Sequence, residues 1–173
     1  NTKIIDYPNS KFKSDFLDIY LGSKCYFFLC TESGMSAIPI AFNRPIVYVN
    51  WSLLGKMQRC PSVMTLIIPK KWYLVREKRL MKFKEILDLQ FEQFARSEKL
   101  KELGIKLIEN TPEEITDVVT EMNLRLNDNW TENEEDKNLQ NIYWSQYRDQ
   151  VIKTDAFKIG AIFLRKNKNL LNY

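Results

Sequence analysis

The sequence predicts an α/β domain of three layers, with a mainly parallel β-sheet followed by carboxyl-terminal helices. Two short apolar runs, residues 25–30 and 46–49, have the length and the aromatic or β-branched content of strands that are covered on both faces. A helical pattern precedes the first run, and a polar turn with a short helical segment separates the two runs. Helices that alternate with such strands are typical of a parallel sheet, so the expected arrangement is Rossmann-like.

The first helix is expected to begin after Ser14, whose hydroxyl can accept a hydrogen bond from an amide of the first turn. Gly22 is expected to end this helix, because glycine readily adopts the left-handed conformation that terminates many helices. The apolar side of the helix is expected to include Phe16, Leu17, Ile19 and Tyr20.

The turn between the first two strands contains Thr31, Glu32, Ser33 and Gly34, and the apolar residues 35–42 follow it. If a helix begins within residues 33–36, its unpaired amides and positive dipole end lie at the carboxyl edge of the sheet. An anion such as a phosphate would bind there. The alternative is a strand-to-helix turn with a hydroxyl cap and no ligand, and both interpretations stay open at this point.

Further elements follow along the chain. Strands are expected at residues 65–68 and 105–108, and a helix at residues 83–94. Pro69 closes the third strand, and Gly104 ends a charged helix before the fourth. The loop over residues 53–64 is expected to contain three apolar side chains, which either cover a nucleotide or anchor the loop: Leu53, Leu54 and Met57.

The clearest local signal lies at Thr111, Pro112 and Glu114, which match a helix cap, a first-position proline and the glutamate of a capping box. The helix that follows has one apolar face, with Ile115, Val118, Val119, Met122 and Leu126. This pattern predicts structure rather than chemistry.

We expect two parts, a nucleotide-sugar-binding domain over residues 1–126 and a helical segment over residues 127–173 that packs on it. The aromatic residues of the second part are Trp130, Tyr143, Trp144 and Tyr147. They favour helix packing, with a stacking platform for a base as the alternative. An apolar run at residues 159–164 is expected to end the fold.

Composition excludes several kinds of site. The chain has 173 residues and no histidine, and its three cysteines lack metal-ligand spacing, so neither a zinc site, another metal centre nor a disulfide framework is expected. Any acid or base must be Asp, Glu, Lys, Tyr or Cys. Cys25 and Cys30 are expected to pack as small apolar residues.

The sequence also bears on location. No apolar run has the length of a membrane helix and no secretory signal is visible, so a cytoplasmic protein is expected. The chain begins with Asn1 rather than methionine, which suggests a fragment or a processed product.

The charge is uneven along the chain. Residues 1–86 contain 14 Lys and Arg against 6 Asp and Glu, whereas residues 87–173 contain 12 against 16. A basic run over residues 70–84 is interleaved with aromatic side chains, but no nucleic-acid-binding motif accompanies it. We expect solvated charges on a connection between strand and helix, and a phospholipid surface explains them better than nucleic acid does.

Residues 6–51 resemble the donor-binding, carboxyl-terminal half of GT-B glycosyltransferases, especially a bacterial surface-polysaccharide family. Members of this family carry sequences that are similar to segments spread over most of this chain, namely SDFLDIYLGSKC, TESG, AIPIAFNRPIVYVNW, GIKLIENTPEEI and GAIFLRKN. Residues 15–44 are also weakly similar to fucosyltransferases that use a guanosine diphosphate sugar and place a Thr/Ser turn after an apolar strand.

The resemblance implies transfer of a sugar from a nucleoside diphosphate donor to a growing surface glycan or its lipid carrier, without a metal or other cofactor. The diphosphate would bind backbone amides near Ser33, Gly34 and Met35, with hydroxyls from Thr31, Ser33 or Ser36. Arg44 would assist, and Glu32 would either bind a ribose or sugar hydroxyl or simply face water.

Two further functions of a GT-B enzyme, ribose binding and deprotonation of the acceptor, have no assigned residue in this chain. Many GT-B enzymes carry a ribose-binding acid late in the helix after this turn, where this chain has Ala41, Phe42 and Asn43. The catalytic base would belong to an amino-terminal domain, so no catalytic residue is assigned. A non-catalytic module for a phosphorylated ligand and a structural interaction domain remain alternatives.

Overall fold

The computed structural model describes residues 3–52, 63–89, 97–146 and 156–171. The strands in these ranges are β1 (Phe28–Cys30), β2 (Ile46–Trp51), β3 (Thr65–Pro69), β4 (Lys71–Leu74), β5 (Arg79–Leu80), β6 (Ile105–Ile108) and β7 (Phe157–Ile159). The helices are α1 (Asp15–Lys24), α2 (Ala37–Ala41), α3 (Phe83–Asp88), α4 (Ser97–Glu102), α5 (Pro112–Leu126), α6 (Glu134–Ser145) and α7 (Ala161–Lys166), with 3₁₀ turns at Gly34–Ser36 and Lys168–Leu170. The predictions for residues 53–62, for the end of the helix at residues 83–94 and for Tyr147 lie outside the described residues.

Four strands form a parallel sheet in the order β1-β2-β3-β7. Ile46 of β2 pairs with Phe28 on one side and Thr65 on the other, and Thr65 pairs in turn with Phe157. This sheet and the surrounding helices confirm the predicted α/β class. Five core residues of β2 and β3 are 1% exposed or less, namely Ile46, Val47, Leu66, Ile67 and Ile68.

β1 departs from its prediction. The expectation of a strand over residues 25–30 with both faces covered is wrong, because β1 spans three residues and lies at the edge of the sheet. Tyr26 is 55% exposed and Leu29 is 45% exposed. Apolar composition does not distinguish a central strand from an edge strand, since the element that covers a strand is distant in sequence.

α1 begins where the sequence predicts, with Oγ of Ser14 accepting a hydrogen bond from the amide of Leu17 at 3.2 Å. The prediction that Gly22 ends the helix is wrong, because α1 continues to Lys24. Gly22 instead lies buried against α2, where an added Cβ atom would be 2.8 Å from Cγ2 of Ile38. The missing side chain lets the two helices approach closely.

A second sheet is antiparallel, in the order β5-β4-β6. The predicted strand at residues 105–108 is confirmed, but it pairs with β4 rather than joining the parallel sheet. The basic run at residues 70–84 connects β3 to α3, and most of its charged residues are exposed, as predicted. It is not a plain connection, because it contains the β4–β5 hairpin. Trp72 of this hairpin is 1% exposed and belongs to the core.

α5 begins at the predicted capping box. Oγ1 of Thr111 accepts from the amide of Glu114 at 3.2 Å, and Oε2 of Glu114 accepts from the amide of Thr111 at 2.9 Å. Nζ of Lys71 also donates to Glu114 at 2.7 Å, which joins the helix start to β4. Val118 and Met122 of the predicted apolar face are 2% and 0% exposed.

The described part of residues 127–173 contains α6 and α7 and also supplies β7 to the parallel sheet. Gln140 of α6 holds β7 through its amide group, which donates to the carbonyl of Ile159 at 2.5 Å and accepts from its amide at 3.3 Å. Tyr143 and Trp144 are buried with their rings edge to face at 5.1 Å. These two aromatic side chains therefore pack in the core, as the sequence favours.

Candidate functional site

The carboxyl ends of β1, β2 and β3 lie along one edge of the parallel sheet, and polar residues follow each strand. Residues 31–36, which we call the β1 turn, follow β1, while Ser52 follows β2 and Lys70 follows β3. Open α/β sheets bind ligands outside this edge. The order of the four described strands does not reverse, so the β1 turn lies at one end of this row.

The β1 turn passes from extended chain into a helix. Ser33 has φ −151° and ψ 160°, and the 3₁₀ turn from Gly34 to Ser36 leads directly into α2. The amide and Oγ of Ser36 both donate to the carbonyl of Ser33, at 3.2 and 2.8 Å. Thr31, Ser33, Gly34 and Met35 are exposed. The predicted helix start within residues 33–36 is confirmed, and its first residues lie at the surface.

Gly34 has open space around it. An added Cβ atom would have no heavy atom within 4 Å, and Gly34 does not adopt the left-handed conformation that favours glycine. Neither packing nor backbone conformation therefore requires glycine here, and its missing side chain leaves the backbone accessible to a ligand. A substitution at this position tests ligand contact with little effect on the fold.

Glu32 connects the carboxyl ends of β1 and β2. Its Oε2 atom accepts hydrogen bonds from the amide of Ser52 at 2.9 Å and from the Ser52 hydroxyl at 2.5 Å. The side chain is half-buried. These contacts hold the β1 turn against the end of β2, a role that the sequence analysis did not foresee.

Arg44 does not lie with the β1 turn. It precedes β2, which begins at Ile46, and therefore belongs to the amino edge of the sheet. Its Nε atom donates to the carbonyl of Ser23 in the last turn of α1 at 2.7 Å. A cation at this position offsets the partial negative charge of a helix end. The structure thus brings residues 31–36 together and separates Arg44 from them.

An asparagine pair that the sequence pattern did not predict joins Asn50, near the carboxyl end of β2, to Asn110, which follows β6. Each residue donates its backbone amide to the side-chain oxygen of the other, at 2.6 Å in both directions. Asn110 also donates to the carbonyl of Pro69 at 2.9 Å. Asn50 has φ 55°, which asparagine tolerates better than most residues. Asparagine at the end of an apolar run was the available signal, but the two residues are 60 positions apart.

Carboxylates neutralise part of the basic run at residues 70–84. The ion pairs are Lys70–Glu109 at 3.3 Å, Lys71–Glu114 at 2.7 Å, Arg79–Glu85 at 2.7 Å and Lys84–Asp88 at 2.7 Å. Such pairs contribute little to stability where they are exposed. They do weaken the positive field that a polyanion would experience at this surface.

Neither described cysteine has the character of a nucleophile. Burial raises the pKa of the Cys30 thiol to about 11. Burial also raises the pKa of Cys25, whose Sγ atom donates to the carbonyl of Gly22 at 3.2 Å. Because the thiolate is the reactive form, both side chains remain protonated near neutral pH.

Glu121 is a fully buried acid with a structural set of contacts. Burial raises the pKa of its carboxyl, and the guanidinium of Arg125 opposes this shift at 2.8 Å. Oε2 of Glu121 accepts from the amide of Ala161 at 2.7 Å, at the start of α7. A raised pKa can mark a catalytic acid, but this carboxyl holds a helix start in the interior.

Residues 3–52, 63–89, 97–146 and 156–171 offer neither a candidate metal-binding group nor a candidate membrane span. In these ranges no group of three or more His, Cys, Asp or Glu side chains is placed to hold a metal ion. The same ranges contain no helix with the length and apolar content needed to cross a membrane.

No protein-family model, curated protein or solved structure matches the chain.

Proposed function

We propose that this chain is the donor-binding half of a glycosyltransferase that uses a nucleoside diphosphate sugar in bacterial surface polysaccharide or lipopolysaccharide synthesis. The observation that carries the proposal is the β1 turn, an exposed helix start with an open glycine at the carboxyl end of a parallel strand. The resemblance of residues 6–51 to GT-B donor-binding domains supports the same assignment.

The donor diphosphate binds the amides that open the helical segment, those of Ser33, Gly34 and Met35. The first amides of a helix have no partner within it, and the dipole there favours an anion. The hydroxyls of Thr31 and Ser33 add donors at the exposed surface. Oγ of Ser36 already donates to the carbonyl of Ser33, so this hydroxyl shapes the turn more than it binds phosphate.

The same donors assist the reaction. Negative charge develops on the leaving diphosphate as the bond to the sugar breaks, and donors that are already in position stabilise this charge without reorganisation. Glu32 acts as a positioning residue, since its two hydrogen bonds from Ser52 fix the turn against β2. Arg44 has no part in this step because it lies at the other edge of the sheet.

The acceptor is a growing glycan or a lipid-linked sugar, and a separate amino-terminal domain supplies the base that deprotonates it. The enzyme works in the cytoplasm, at the inner face of the membrane where a lipid-linked acceptor is held. On this proposal the 173-residue chain alone binds donor weakly and transfers no sugar, because half of the cleft and the base are missing.

Binding of uridine and guanosine diphosphates, measured by calorimetry and by amide chemical shifts, tests the proposal. The matched ligand controls are uridine and guanosine, which lack phosphate. We expect the diphosphates to bind more tightly and to shift the amides of Gly34 and Met35. No binding, or equal affinity for nucleoside and diphosphate, contradicts the proposal.

Two further measurements distinguish the proposed donor-binding half from a general phospho-ligand module and from a complete catalyst. If inorganic pyrophosphate binds as tightly as either nucleotide, the chain is a general phospho-ligand module. If the isolated chain releases nucleoside diphosphate from a nucleotide sugar with rapid turnover, it is a complete catalyst and the two-domain proposal is wrong.

A further inference from the structure

The exposed apolar side chains of this protein are concentrated at one end of the sequence. In the described ranges, thirteen large apolar residues are exposed, and eleven of them lie between Ile4 and Phe42. We call six of these, in and around α1 and β1, the α1–β1 surface, namely Phe12, Phe16, Ile19, Tyr20, Tyr26 and Leu29. Large apolar patches of this kind mark interaction sites in folded proteins.

The outer face of α1 provides most of this surface. Phe16, Ile19 and Tyr20 recur at helical spacing within α1, and Phe12 lies in the turn before it. The rings of Phe16 and Tyr20 stack with centroids 6.0 Å apart. Phe16 is 72% exposed. α1 packs on α2 at Gly22, which is next to Ile19 on the helix surface, while Phe16 and Tyr20 remain exposed.

β1 continues the surface at the edge of the parallel sheet. The amide of Phe28 donates to the carbonyl of Pro45 on the β2 side. Backbone groups of alternate residues in a strand point to opposite sides, so the amide and carbonyl of Leu29 point away from β2. Edge strands are usually blunted by short length, lysine, proline or a bulge. β1 is short, with three residues, but it has no lysine, proline or bulge.

We propose that the α1–β1 surface is the interface of a symmetric homodimer. β1 pairs antiparallel with β1 of the second copy about a two-fold axis at Leu29, where the two leucines exchange both backbone hydrogen bonds. The parallel sheet then continues across the dimer, and α1 packs beside α1 of the copy.

Charge and hydrogen bonding favour a copy of this chain over a lipid surface. Hydrocarbon offers no partner for the outward amide and carbonyl of Leu29. The charges of α1 are mixed, with Asp15 and Asp18 in its first turn and Lys24 in its last. An antiparallel copy brings the acidic first turn of one helix toward the basic last turn of the other.

The exposed area is sufficient for a dimer. A large apolar or aromatic side chain presents on the order of 150–250 Å² when fully exposed, and the six residues are each between about half and three quarters exposed. Their sum is on the order of 700 Å², close to the roughly 800 Å² that each partner buries in a stable interface.

The test is the oligomeric state of the 173-residue chain, measured by sedimentation equilibrium over a dilution series. Phe16→Glu and Leu29→Lys each place a charge in the interface, and Val75→Glu is the matched control because Val75 is 51% exposed beyond β4. We expect wild type and Val75→Glu to be dimers and the other two variants to be monomers with unchanged circular dichroism. A monomeric wild type, or equal dissociation of all three variants, overturns the proposal.

Amide hydrogen exchange gives a second, site-specific measurement. In the dimer the Leu29 amide is protected at high protein concentration and loses protection on dilution. Protection that does not depend on concentration overturns the proposed pairing. A monomer that sediments with phosphatidylglycerol vesicles, and loses this property in Phe16→Glu, also overturns it in favour of a lipid surface.

Discussion

Replacing Gly34 by aspartate is the most direct test of the proposed anion site. The substitution places a carboxylate at the start of the helical segment, where the diphosphate would bind. An added Cβ atom has no neighbour within 4 Å and the backbone conformation suits any residue, so the variant should fold normally. Any loss of affinity then reports on the ligand rather than on the fold.

The expected loss of diphosphate affinity depends on how exposed the β1 turn is. Two unit charges 4 Å apart repel by about 1 kcal/mol in water and about 4 kcal/mol near a protein surface. Thr31, Ser33 and Gly34 are exposed, so a value of roughly 1–3 kcal/mol is appropriate, or a 5- to 150-fold weaker affinity. Screening should reduce the effect at high ionic strength.

The assay is calorimetric titration of each variant with uridine and guanosine diphosphate at low and high salt. Gly34→Asn is the matched control, because the asparagine side chain is nearly the same size as that of aspartate but carries no charge. The asparagine variant should lose less affinity than the aspartate variant, and salt should narrow the difference. Equal affinity in wild type and both variants, with all three folded, would refute a diphosphate site at the β1 turn.

Three further predictions concern stability. Thr111→Ala removes the cap of α5 and should lower the free energy of unfolding by about 1 kcal/mol without changing ligand affinity; an unmoved urea midpoint would contradict it. Gly22→Ala places a Cβ atom 2.8 Å from Cγ2 of Ile38. It should lower the free energy of unfolding by about 1–3 kcal/mol, although alanine has the better helix propensity. A higher urea midpoint than that of wild type would contradict this prediction. Hydrogen bonds from Arg79 lower the pKa of Glu85, so this pair stabilises the fold above the unfolded pKa of glutamate and loses its effect as pH falls through the lower folded pKa. Arg79→Gln should therefore be slightly less stable than wild type at neutral pH and equal to it in strong acid, and a difference that persists in acid would contradict the assignment.

Local signals in the sequence determined a large part of the fold. The capping box at Thr111 and Glu114 was predictable because its hydrogen bonds join residues three positions apart. The apolar runs of β2 and β3 were predictable because these strands are buried on both faces. The helix start after β1 was predictable from the polar turn between the apolar runs at residues 25–30 and 46–49, and this start forms the candidate site.

Contacts between distant residues decided what the sequence did not determine. The run at residues 25–30 has the composition of a central strand, yet only the arrangement of the sheet places β1 at its edge. Asn50 and Asn110, which are 60 positions apart in sequence, hydrogen-bond to each other, and Glu32 accepts hydrogen bonds from Ser52, which is 20 positions away.

Gly22 and Gln140 illustrate the same division. Gly22 carries the signal of a helix end, but the approach of α2 gives it a packing role instead. Gln140 carries no strand signal, but it binds the backbone of Ile159 and so holds β7 in the sheet. Helix capping and apolar periodicity involve residues a few positions apart, so they can be predicted from the sequence. Strand order, edge exposure and side-chain pairing depend on which distant segments meet when the chain collapses.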